Sequence, residues 1–114
     1  MLQTQTHLLM LIIGLENITT ASVEELQNMV KAAADLPAYN YVTIDETALR
    51  TVISQAGAVN ARQYSIAIAL EGALLTSSIF VGVDAKGEDM VGDKDVAYIS
   101  ARPCPLLCGG GKLG

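Results

Sequence analysis

Apolar positions along this chain change their spacing from one segment to the next, and each change marks an element. Residues 8–15 (LLMLIIGL) contain no polar side chain, the pattern of a strand buried on both faces. Ser22 then opens a helix, and Glu25, three residues on, completes a capping box. Leu26, Met29, Val30 and Ala33 recur at helical spacing, which carries that helix to about Leu36, where Pro37 ends it. Residues 39–44 (YNYVTI) are aromatic and β-branched and read as a second strand. Thr43 or Asp45 can cap a second helix with an apolar stripe of Leu49, Val52 and Ile53, and Gly57 is placed as a left-handed stop. Strand, helix, strand predicts a right-handed crossover that lays the first two strands parallel.

Beyond residue 60 the period shortens to two. Residues 64–71 alternate large apolar with small or polar side chains, Gly72 interrupts them, and 74–83 return as the hairpin partner. A turn at 84–89 with Gly87, a short pairing segment at Met90 and Val91, a second turn at 92–95 and a last strand at 96–101 complete the pattern. The expected fold is α+β: a single domain over 1–101, βαβα followed by an antiparallel β-meander, with two helices packed on one mixed sheet. Residues 102–114 (RPCPLLCGGGKLG) form a separate C-terminal arm rich in Pro, Cys and Gly.

Composition narrows the function classes. Hydrophobic residues make up 51% but aromatics only 4%, so the core is aliphatic and few rings are available to stack on bases. Net charge is −5 with the basic residues scattered, which excludes direct nucleic acid or anionic membrane partners that need a clustered positive surface. The longest apolar run, 7–15, is far short of the roughly 20 residues of a spanning helix, and no positive segment precedes it. The expectation is a soluble protein, cytoplasmic at synthesis. The sequon-like Asn17-Ile18-Thr19 is then coincidental.

Candidate chemistry is sparse. Cys104 and Cys108 supply two thiolates where a closed zinc site needs four donors, and a reversible disulfide is open to them; the favoured reading is a pair of reduced thiols packed in the arm. Gly109-Gly-Gly-Lys112 imitates the end of a phosphate loop but lacks the following Ser or Thr and the helix. Glu88, Asp89, Asp93 and Asp95 crowd two turns and are the first place to look for a hard cation, although solvated turn carboxylates account for them. His7 is the single histidine, Ser77 and Ser78 fall within a strand, and Glu16 with Glu71 is a pairing any acidic protein offers. Arg50 and Arg62 could bridge subunits through carboxylates. No catalytic residue and no cofactor is assigned, and an enzyme is unsupported.

The arm suggests a role instead. Prolines and consecutive glycines fray in a monomer, so a neighbouring copy is expected to clamp it through Cys104, Pro105, Leu106, Leu107, Gly109 and Leu113, with residues 3–6 held similarly. The expected function is a structural subunit of a homo-oligomeric assembly, such as a virion head decoration, connector or tail component. Its partners are itself or other assembly subunits. The alternative is a small ligand- or metal-binding oligomer, including an enzyme with its site between subunits. A third reading is an adaptor that docks through a sheet edge.

Overall fold

In a computed structural model of the chain, the described residues are 8–13 and 17–113. The apolar run forms strand β1 (Leu8–Ile13), and a second strand, β2 (Asn17–Ser22), returns antiparallel to it. Ser22 ends β2 and caps helix α1 (Val23–Ala33): the Glu25 N–H donates to Ser22 Oγ at 3.1 Å, and the Ser22 N–H donates to Glu25 Oε1 at 3.1 Å. A two-residue strand, β3 (Tyr41–Val42), precedes helix α2 (Glu46–Ile53), whose cap is Asp45, its Oδ1 accepting from the Ala48 N–H at 2.9 Å. Gly57 takes φ +92° in the turn after α2. The long hairpin β4 (Asn60–Leu70) and β5 (Ala73–Val83) follows, then β6 (Val96–Ile99) and β7 (Pro103–Cys104).

Five strands make one mixed sheet in the order β2-β1-β6-β5-β4, parallel only between β1 and β6. The α+β expectation is correct, with two helices on one mixed sheet and a β4–β5–β6 meander. The expected partner of β1 is not. Tyr41 and Val42 pair with Cys104 and Pro103 in a separate two-stranded sheet. Hydroxyls hold this segment against the main sheet: Thr76 Oγ1 donates to the Pro37 carbonyl at 2.7 Å and Ser100 Oγ to the Thr43 carbonyl at 2.8 Å. Backbone fastened this way lies beside β5 and β6 and leaves the place next to β1 to β6.

Side-chain alternation along the strands assigns the helices to opposite faces. Leu9, Leu11, Ile66, Ile79, Val81, Ala97 and Ile99 form one core with Leu26 of α1. Phe80 and Tyr98 form the other with Ala48 and Val52 of α2, their rings stacked at 5.8 Å. The Asp45 N–H donates to the Tyr98 hydroxyl oxygen at 2.8 Å, tying the α2 cap to the sheet. Two substitutions test the two cores by urea denaturation. Ile66→Ala, at a fully buried position, is expected to cost about 2–5 kcal/mol. Tyr98→Phe, which leaves the Asp45 N–H unpaired, is expected to cost roughly 1–3 kcal/mol. An Ile66→Ala midpoint close to wild type would contradict the α1 core.

Candidate functional site

Strand alternation aims Arg62, Tyr64 and Ile66 of β4 at the α1 face, beside Ile79 and Val81 of β5. Opposite them α1 presents Val23, Leu26, Gln27, Val30 and Lys31, the i, i+3, i+4, i+7, i+8 stripe of one helix face. Helix and sheet do not close completely. Between them lies a cleft of about 440 Å³, lined by those α1 residues, Tyr64, Ile79, Val81, Asp89 and Val91. Its size and largely aliphatic wall with a few polar groups fit the range of small-molecule sites.

The turn after β5 supplies the polar corner. Asp84 Oδ1 accepts from the Lys86 and Glu88 N–H groups at 2.9 and 3.0 Å, folding the chain back so that Asp89 bridges to Val83. Asp89 then meets β4: Arg62 Nη1 donates to its Oδ1 at 2.7 Å, and the Tyr64 hydroxyl donates to its Oδ2. Arg62 Nη2 also donates to the Gly87 carbonyl at 3.3 Å. The hydrogen bond to Asp89, and then partial burial, push the Tyr64 phenol above its ordinary value, because both disfavour the phenolate. Asp89 is thus compensated by a cation and a donor. Lys31, on the opposite wall, has no carboxylate within ion-pair distance among the described residues.

The other carboxylates expected at a metal site do not converge on Asp89. Glu88 and Asp93 are exposed, and Asp95 Oδ2 accepts from the Gly92 N–H at 2.7 Å within its own turn. Among the described residues no three of His, Cys, Asp and Glu come together in a metal-holding group. Ser77 and Ser78 are buried and structural: Ser77 Oγ donates to the Ser100 carbonyl at 2.7 Å, and Ser78 Oγ to the Tyr39 hydroxyl at 2.9 Å. Arg50 and Arg62 both pair within the chain, Arg50 with Glu46 at 2.6 Å. Glu71 sits in the β4–β5 turn, while its proposed partner Glu16, His7 and residues 3–6 lie outside the described residues.

The arm begins inside the fold. Pro103 and Cys104 are buried against the sheet, and Cys104 and Cys108 form a disulfide, not the reduced pair expected from the sequence. The cause is local: the Leu107 N–H donates to the Pro103 carbonyl at 2.7 Å, and the resulting turn brings the two Cα atoms to 4.7 Å, within bridging range. Farther on, the Gly109 N–H donates to the Tyr41 hydroxyl oxygen at 3.1 Å. A Cβ on Gly111 would stand 2.8 Å from that oxygen, so any larger residue there would displace the Tyr41 ring. Pro105, Leu106, Leu107, Gly109 and Leu113 remain exposed.

Sequence reasoning placed Asp89 among solvated carboxylates and did not single out Gln27, Lys31 or Tyr64. The usable signal was the α1 stripe, whose apolar row is continued by Gln27 and Lys31, and the Arg62–Tyr64 alternation on β4. No protein family, curated protein or solved structure matches the chain.

The Tyr64–Asp89 contact has a pH signature. Unfolded tyrosines ionise near pH 10 while Tyr64 in the fold keeps its proton longer. Its contribution to stability is therefore complete below pH 10 and is lost as pH rises through the higher folded value. In a spectrophotometric titration of phenolate absorbance, Asp89→Asn is expected to bring one tyrosine of the folded protein back toward its ordinary range. Superimposable wild-type and Asp89→Asn curves would refute the contact.

Proposed function

We propose that the protein binds a small, largely apolar molecule in the cleft between α1 and the β4–β5 hairpin. The observation that carries this reading is the cleft itself: about 440 Å³ of aliphatic wall with its polar groups confined to Gln27, Lys31, Tyr64 and Asp89. Apolar walls give affinity by excluding water, and a few fixed polar groups give orientation. No nucleophile–base pair lines the space, so binding, not turnover, is the reading these side chains support.

A second reading, a subunit of a homo-oligomeric assembly, is favoured by a different surface. On the α2 face, helix α2 covers β5 and β6 and its core reaches β1 only at Ile12, leaving Leu8 and Met10 of β1 and Ile18 of β2 exposed. Leu8 and Met10 stand exposed there, and Ile18, 67% exposed, lies across from Ile12. Strand β2 (NITTAS) is an outer strand with no charge and no proline to block pairing. A neutral surface is self-complementary even in a chain of net charge −5, because no like charges meet across it. Its occupant in this reading is a second copy, joined by contacts from the exposed Leu106, Leu107 and Leu113, and a virion shell or tail is one setting for such repetition.

Two measurements separate the readings. Gln27→Trp, at an exposed position, puts an indole across the cleft; it is expected to weaken binding of the neutral fluorescent probe phenylnaphthylamine at least about tenfold with circular dichroism unchanged, since the indole occupies the space the probe needs. Unaltered probe binding would remove the cleft as the site. In multi-angle light scattering, a wild-type mass that is a multiple of the monomer and falls to the monomer in Met10→Lys/Ile18→Lys supports the assembly. A monomeric wild type at high concentration excludes it.

A further inference from the structure

Resting on the cleft reading, we infer that the ligand is an amphiphile with a single anionic head, a carboxylate or its chemical equivalent, held by Lys31. Charge within the cleft decides the head. Asp89 is already paired: Arg62 Nη1 at 2.7 Å neutralises it and the Tyr64 hydroxyl donates to its second oxygen. An added ammonium would have to compete with that pair. The Lys31 ammonium instead carries three donors and no carboxylate partner among the described residues. Arg62, outside the lining, already neutralises Asp89, so the charge left without a partner in the lining is the Lys31 ammonium, although the chain as a whole is at −5.

The body of the ligand follows from the rest of the wall. Val23, Leu26, Val30, Ile79, Val81 and Val91 offer branched aliphatic surface, and Tyr64 is the single ring of the lining, its hydroxyl held by Asp89. Such a wall excludes water along a hydrocarbon chain, and one tethered ring gives no pair of faces to sandwich a nucleobase or flavin. Lys31 lies in the last turn of α1 and is exposed, so its long stem can lie along the wall while the head stays at the solvent boundary. A monoanionic chain amphiphile fits both features.

The test is displacement of bound phenylnaphthylamine by dodecanoate, dodecanol and dodecylammonium, each below its aggregation concentration and at low ionic strength. Dodecanoate is expected to displace at about fivefold lower concentration than dodecanol, with dodecylammonium the weakest, a gap set by one partly solvated ion pair. Raising the salt concentration should narrow the gap. Lys31→Met, with each competitor referred to that variant's own probe affinity, is expected to lose the dodecanoate advantage over dodecanol, and Lys31→Arg to restore it. Equal displacement by all three, or preference for dodecylammonium, would overturn the anionic head while leaving the apolar cleft standing. A Lys31→Met protein that still prefers dodecanoate would overturn the role of Lys31. Absence of probe binding by the wild type would overturn the cleft reading and this inference with it.

Discussion

Strand β6 is the piece on which the rest of the structure depends. It is four residues long, yet it joins the β1–β2 hairpin to the β4–β5 hairpin, running parallel to β1 and antiparallel to β5. Without it the two hairpins share no ladder. Its side chains also serve both cores, Ala97 and Ile99 toward α1 and Tyr98 toward α2. Gln55, just past α2, reinforces it: its amide oxygen accepts from the Val96 N–H at 2.7 Å and its Nε2 donates to the Val96 carbonyl at 3.2 Å. A parallel neighbour demands a long connection, and the chain places both helices and the β4–β5 hairpin between β1 and β6.

Two helices cannot cover both faces of a five-stranded sheet completely. Helix α1 follows directly on β2 and reaches across to β4, while α2 sits over β5 and β6 on the reverse side. Incomplete cover has a different consequence on each face. Under α1 the gap is walled by helix, sheet and the 84–91 turn, which makes a concave space with a polar corner. On the α2 side Ile12 packs against the α2 core, while Leu8, Met10 and Ile18 stay exposed as an apolar patch on β1 and β2. A concave space fits a small molecule and a flat face fits a protein, which is why the two readings of function fall on opposite sides of one sheet.

What could be read from the sequence was local. Ser22–Glu25, Asp45, Gly57 and the alternation through the long hairpin are short-range signals, and each describes the folded chain. Strand β2 was missed because Asn17–Ser22 lacks the apolar alternation of a half-buried strand: among its described side chains, Ala21 is buried while Ile18, Thr19 and Thr20 face solvent. The partner of β1 was misassigned because pairing is a competition among strands far apart in sequence, here settled by hydroxyls on β5 and at Ser100. The site was the least legible feature. Tyr64 and Asp89 are 25 residues apart, and only the return of the 84–89 turn onto β5 makes them neighbours.

The arm shows how a sound premise can have a second explanation. Three consecutive glycines do make the arm costly to order, on the order of 1–2 kcal/mol of backbone entropy per residue, and its prolines remove two backbone donors. The compensation comes from this chain: the β3–β7 pairing, the Cys104–Cys108 bridge and the Tyr41 contacts of Gly109 and Gly111. A second copy is therefore not required to explain the order of this segment, and the case for self-association must rest on side chains left uncovered. Met10 and Ile18 form such a surface because the strand register fixes them on one rigid face. Leu113 is wholly exposed beyond the last Tyr41 contact, so a partner docking there would also have to order it. The β1–β2 face avoids that entropic penalty, so within the assembly reading it is the stronger candidate for contact with a second copy.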